Sequence, residues 1–209
     1  MDRLERLLAE CPTLFRGGRT STSASAFRPT GYAELDALLP GGGWPMGRLI
    51  EIQTPAPGLA EIRLLLPVLR QMQAEGRWII WAAPPYRPYA PGLAQAGLDL
   101  SRALCVDPAA PADLWGCLEK LLRHPVCGIV MAWPSRCDAT ILRRLQLAVE
   151  TGGGLGVLFL RQTLAHSPAA VQMQLAYRAD ALWVQVHKAR GSWKQGSVAL
   201  GRADAPVSS

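Results

Sequence analysis

Charge is scarce in this chain. Asp, Glu, Lys and Arg make up 18% of its 209 residues, against 49% hydrophobic ones, a balance that belongs to a globular fold and not to a disordered one. No apolar run approaches the ~18–20 residues that a membrane helix needs. The opening MDRLERLLAE carries acidic residues and no apolar core, so no secretion signal is read there. Cysteine is limited to five residues, Cys11, Cys105, Cys117, Cys127 and Cys137, an odd set with no CxxC pair. That set, partly in apolar surroundings, suggests small buried thiols in a reducing, cytoplasmic setting. Three histidines, His124, His166 and His187, stand far apart without partner spacing, which leaves a zinc site unsupported. A GxSxG elbow is absent, and with it any support for a hydrolase. No internal repeat is visible.

The formal charge of +6 fits a nucleic-acid or acidic-protein partner. An Ala-, Arg-, Leu- and Pro-rich proteome would explain it equally well. Length suits one domain with one substantial core.

Residues 2–10 pattern as a short amphipathic helix with Leu4, Leu7 and Leu8 on one face, and residues 17–25 (GGRTSTSAS) read as a linker. We divide the chain into an N-terminal helix and linker (1–27), a core (28–201) and a tail (202–209). Within the core, strand and helix patterns alternate. Strands are expected at 48–53, 77–82, 104–106, 128–133 and 155–160. Helices are expected at 59–75, 111–123, from Asp138 to Thr151, and at 167–176. Residues 182–186 and 197–200 can pair as a terminal hairpin around Gly191. Alternating βα units imply α/β architecture: a mainly parallel central sheet, helices on both faces, and a C-terminal β-hairpin.

Residues 30–53, TGYAELDALLPGGGWPMGRLIEIQ, carry the specific signal. Thr30-Gly31, Leu35-Asp36, Gly42-Gly43, Pro45, Gly47-Arg48 and Glu51-Ile52 stand in an order that resembles the start of the RecA core. That resemblance implies a RecA-like fold over roughly residues 28–200, and a phosphate loop after the first strand.

A working loop of this kind needs G-x-x-x-x-G-K-[ST], so that amides, an ammonium and a hydroxyl can hold phosphates and Mg²⁺. The aligned run here is Thr54-Pro55-Ala56-Pro57-Gly58-Leu59-Ala60-Glu61. Thr54 and Leu59 replace the two glycines, Ala60 the lysine and Glu61 the hydroxyl, and only Gly58 remains as a glycine within the run. Ala83 falls where the family carries a catalytic glutamate, and Ala132 where it carries a magnesium-associated aspartate. Four losses together imply a degenerate nucleotide site, with no cofactor, no metal and no catalytic residue, because phosphoryl transfer depends on positioned positive charge.

Among RecA-like proteins without a nucleotide site, the chain resembles the ImuA family, whose relatives include the SulA cell-division inhibitors. The first resemblance implies a non-enzymatic accessory protein of SOS-induced mutagenic translesion synthesis. Its partners would be RecA, an inactive Y-family polymerase relative and an error-prone replicative-type polymerase, with weak DNA contact and no membrane. The second implies an inhibitor that binds the tubulin-like division protein.

Other residues carry two readings each. Lys188, Arg190 and Lys194 with Trp193 make a basic hairpin loop that either contacts nucleic acid or is a solvated tip. Arg136 lies in a short loop after the fourth strand, in the position of a RecA DNA-binding loop. Trp44, between Gly43 and Pro45, is expected on an exposed turn as an interface anchor. Leu4, Leu7, Leu8 and Phe15 either dock on a partner or pack on their own domain.

Overall fold

The computed structural model describes residues 27–54, 60–110, 112–164, 166–178, 181–191 and 195–200, with the backbone alone at Ala60 and Arg178. Strand β1 (Phe27–Arg28) pairs antiparallel with β2 (Trp44–Pro45), enclosing the short helix α1 (Ala33–Asp36). Then follow β3 (Arg48–Gln53), α2 (Ala60–Ala74), β4 (Trp78–Ala82), α3 (Ala90–Gln95), β5 (Ala103–Val106), α4 (Asp113–Arg123), β6 (Cys127–Ala132), α5 (Ala139–Gly152) and β7 (Leu155–Leu160). Three strands close the chain, β8 (Val171–Arg178), β9 (Ala181–Ala189) and β10 (Gly196–Leu200).

Eight strands form one sheet in the order β10-β9-β8-β3-β7-β6-β4-β5. Strands β3 to β8 run parallel, while β8–β9 and β9–β10 are antiparallel. The uniform apolar runs of β6 and β7 are buried along their whole length, as interior strands covered on both faces must be. On one face Ile50, Ile52, Met131, Phe159 and Met173 pack with Leu64, Leu65, Val68, Leu69 and Met72 of α2. On the other, Leu49, Val130, Leu158 and Leu160 pack with Leu118 and Leu122 of α4 and with Leu142, Leu145 and Val149 of α5.

Local chemistry sets the ends of α5. The Asp138 carboxylate accepts from the Ile141 amide at 2.8 Å, and Gly153 closes the helix at φ +66°. The hairpin expected near the C-terminus is β9–β10, and its register pairs Gln185 with Ser197 and Trp183 with Ala199.

The helix expected at 167–176 is absent. Residues 167–170 form a loop, and β8 follows. Val171, Met173 and Leu175 enter the core while Gln174 and Ala176 stay partly exposed, so the period is two and not 3.6.

Trp44 also departs from expectation. It is fully buried in the core instead of sitting on an exposed turn. Backbone approach explains this: a Cβ on Gly43 would lie 2.0 Å from the Arg28 carbonyl oxygen. The β1–β2 pair therefore closes tightly over the core and turns the indole inward.

Candidate functional site

The parallel strands end along one edge, where α/β sheets place their ligands. Connections leave β4 towards β5 and β6 towards β7, in opposite directions along the sheet. A cleft of about 280 Å³ opens at that divergence, walled by Glu61, Ile62, Trp81, Tyr86, Tyr89 and Trp133 among others. Trp133 stacks on Phe159 with ring centroids 4.7 Å apart, which holds one wall. Tyr86 and Tyr89 stand 70% and 74% exposed at its mouth.

The residues singled out in the sequence distribute around this edge. Thr54 is buried beyond β3, and its amide donates to the Leu160 carbonyl at 3.1 Å. Ala60 begins α2, and Glu61 lies buried in its first turn, on the cleft wall. Ala132 ends β6 opposite Ala82 of β4, so Ala83 and Ala132 lie at neighbouring strand ends. Gly58 and Leu59 lie outside the described residues.

Ala83 has a feature that no sequence signal exposed. Its φ is +48°, the one positive value of a non-glycine among the described residues, and its amide donates to the Val106 carbonyl at 2.8 Å. A left-handed L-residue costs roughly 1–2 kcal/mol.

Chemically, the cleft offers aromatic faces, proline rings and a carboxylate. Glu61 at the N-terminal turn of α2 sits well with the helix dipole.

A second polar group lies within the sheet, and sequence reasoning missed it. Glu51 of β3 is fully buried. Its carboxylate accepts from the Ser167 hydroxyl, and from Gln172 Nε2 at 2.8 Å. Gln172 Nε2 also donates to the Leu164 carbonyl at 2.8 Å, and the Ala169 amide donates to Ser167 Oγ at 3.0 Å. Lys188 completes the group by donating from Nζ to the Ser167 carbonyl at 2.8 Å. These bonds fasten the 161–170 loop to the central strand. Beside it, burial pushes the Cys137 thiol up to about 12, with the charges of Glu51 and Asp138 adding to the shift.

Lys188 thus belongs to β9, with its ammonium turned into the loop, and burial lowers its pKa. Arg190 is exposed at the following turn, and Arg136 is exposed after β6. Trp193 and Lys194 lie outside the described residues, as do Leu4, Leu7, Leu8 and Phe15. The Thr30…Asp36 motif is explained locally: the Thr30 amide donates to Asp36 Oδ1 at 2.8 Å, and the Tyr32 amide to Thr30 Oγ1 at 3.1 Å.

Fold and edge together define an α/β protein with a mostly parallel sheet and an aromatic cleft where its crossovers diverge. The chain belongs to the SulA family, described as "Cell division inhibitor SulA", which matches residues 48–156. It is similar to Protein ImuA of Caulobacter vibrioides, with 30% identity over 151 residues, 70% of this chain and 61% of that protein. It is also similar to the cell division inhibitor SulA of Photorhabdus laumondii, with 27% identity over 103 residues, 49% of this chain and 58% of that protein. The chain therefore spans about three fifths of the length of these curated relatives. Among solved structures, SulA from Pseudomonas aeruginosa aligns with a TM-score of 0.44 and 23% identity, over 53% of this chain and 97% of that one. Among the described residues no helix is long and apolar enough to cross a membrane.

Proposed function

We propose that the chain is a non-enzymatic accessory protein of SOS-induced mutagenic translesion synthesis. On this reading it binds RecA and polymerase-complex partners, an inactive Y-family relative and an error-prone replicative-type enzyme, through a RecA-like core that has lost its ATP site. One observation carries it: similarity to ImuA runs over 151 residues at 30% identity, whereas similarity to SulA runs over 103 at 27%.

The degenerate site supports the non-enzymatic part. Phosphate needs amides, an ammonium and a metal-binding hydroxyl. At the start of α2 the chain presents Ala60 and a buried Glu61, with Ala83 and Ala132 at the neighbouring strand ends. The proposed organisation is residues 1–27 as helix and linker, 28–201 as core and 202–209 as tail. Leu4, Leu7, Leu8 and Phe15 would dock on a partner, and Arg136, Arg190, Lys188, Trp193 and Lys194 would make weak contact with DNA. The setting is cytoplasmic.

The family description supports a second reading, an inhibitor that binds the tubulin-like division protein. A paired pull-down separates the two. The accessory reading expects the full chain to retain RecA and not the division protein, and expects deletion of residues 1–25 to weaken retention. Capture of the division protein alone would reverse the assignment.

A further inference from the structure

One corner of the sheet is left open on the face that α4 and α5 otherwise cover. Leu104 of the edge strand β5 is 42% exposed, and Val126, just before β6, is 41% exposed. With Trp78 and Leu121 they wall a groove of about 390 Å³ between β5 and the last turn of α4. Lys120 and His124 stand on its rim, and its lining holds no acid. The neighbouring Glu119 is taken by Arg123 and Arg144, and among the described residues Lys120 has no ion-pair partner. Parallel strands lie almost always beneath helices on both faces. Over β6 and β7 those helices are α4 and α5. Among the described residues no helix lies over Leu104.

One helical pattern in the sequence lies outside the described residues. In residues 2–10, Leu4, Leu7 and Leu8 share a face, and at 3.6 residues per turn Glu5 and Glu10 border it on opposite sides. Residues 1–10 hold three acids against two arginines, in a chain of net +6. An apolar face edged by carboxylates thus matches an apolar groove edged by an ammonium. Either direction of the helix along the groove brings one glutamate to Lys120.

Reach agrees. The described chain begins at Phe27, and the Arg28 guanidinium beside it donates to Glu75 at 2.8 Å. Arg77, two residues on, donates to the Pro125 and Cys127 carbonyls at 3.1 and 2.9 Å, on either side of Val126. From Arg28 to Trp78 the path is one side-chain contact and three residues of chain, about 20 Å at most. A Gly/Ser-type linker the length of residues 11–26 spans about 20–24 Å on average. The connection is long enough without being stretched.

We propose that residues 2–10 form a helix that lies in this groove of their own domain, with Leu4, Leu7 and Leu8 against Leu104, Leu121 and Val126. The groove is on the opposite face of the sheet from the aromatic cleft, since Ile80 and Trp81 of β4 enter different cores. The inference does not rest on the accessory-protein reading, in which the same leucines meet a partner. That contact would first require their release from the groove.

The test uses the purified full chain alone, so a failed pull-down of partners has no bearing on it. Carbodiimide coupling, read by peptide mapping of the monomer band, is expected to join Lys120 to Glu5 or Glu10. Lys188 and Lys194, the other two lysines, should not couple to these acids. Hydrogen exchange gives a second reading. A helix of nine residues is marginal on its own in water, so amides 4–10 should exchange about tenfold slower than in a synthetic peptide of residues 1–16. Leu4→Asp/Leu8→Asp should remove that protection, and so should Val126→Asp. If Val126→Asp loses its native circular dichroism, Lys120→Glu on the exposed rim decides, with protection falling severalfold. The proposal is overturned if amides 4–10 exchange like the peptide, or if their protection survives the groove variants. It is equally overturned if the acids couple to another lysine, or couple to Lys120 only in a dimer band, which would place the segment on a second copy.

Discussion

Gln172 of β8 donates from Nε2 to the buried carboxylate of Glu51 on the adjacent strand β3, at 2.8 Å. The Ser167 hydroxyl reaches the same carboxylate from the loop before β8. One acid at the centre of the sheet thus sets the path of the chain from β7 into β8. Replacing it with alanine takes the acceptor from the buried Ser167 hydroxyl and from one of the two Gln172 Nε2 bonds, and opens a cavity. Glu51→Ala should lose about 3 kcal/mol, and Glu51→Gln less, because it keeps one acceptor oxygen. Urea unfolding followed by circular dichroism measures both, and equal stability of all three proteins would remove the role assigned to Glu51.

Ala83 gives a change of the opposite sign. Its φ of +48° costs an L-residue energy that glycine does not incur. Against this, glycine adds entropy to the unfolded chain, roughly 0.4–1 kcal/mol. Ala83→Gly should therefore stabilise by about 0.5 kcal/mol, and Ala83→Val should destabilise by more than that. Thermal unfolding of the two variants would show opposite shifts in Tm.

At Gly43 the constraint is backbone against backbone. A Cβ there meets the Arg28 carbonyl oxygen at 2.0 Å and its carbon at 2.5 Å. Gly43→Ala must part β1 from β2 and loosen Trp44, at a cost of about 3 kcal/mol. Besides lower urea stability, the variant should show red-shifted tryptophan emission as the Trp44 indole meets water. An unshifted spectrum would contradict the packing described.

Cys137 makes a prediction in pH. Burial raises its thiol to about 12, above the ordinary value near 9. Folding therefore favours the protonated thiol. That contribution is fully present below pH 9 and is lost between about 9 and 12, as the unfolded chain gives up its proton first. At pH 8 the thiolate fraction is about a thousandfold smaller than in the denatured chain, so alkylation of Cys137 by iodoacetamide should run slower by roughly that factor. Peptide mapping over a time course reads this directly, and matching rates would refute it.

Much of the sheet was legible because burial on both faces leaves a plain mark. The runs at β6 and β7 are apolar at nearly every position, and Asp138 and Gly153 punctuate α5 in the ordinary way. Strand β8 was not legible, because the glutamines of VQMQLA suit a helix as well as the outer face of a strand. Helix α3 was hidden by Pro91 and Gly92 within its six residues. The Glu51 group escaped for a different reason: its partners lie 116 and 121 residues away, beyond any local pattern. Trp44 misled because a Gly-Trp-Pro run reads as a turn, whereas a carbonyl pressed against Gly43 drives the ring inward.

The central claim is that the start of α2 does not hold a nucleotide, and calorimetric titration of the full chain with Mg²⁺-ATP tests it most directly. The account predicts no saturable heat, or binding no tighter than the millimolar range. Stoichiometric micromolar binding that disappears when Thr54 or Glu61 is substituted would contradict it.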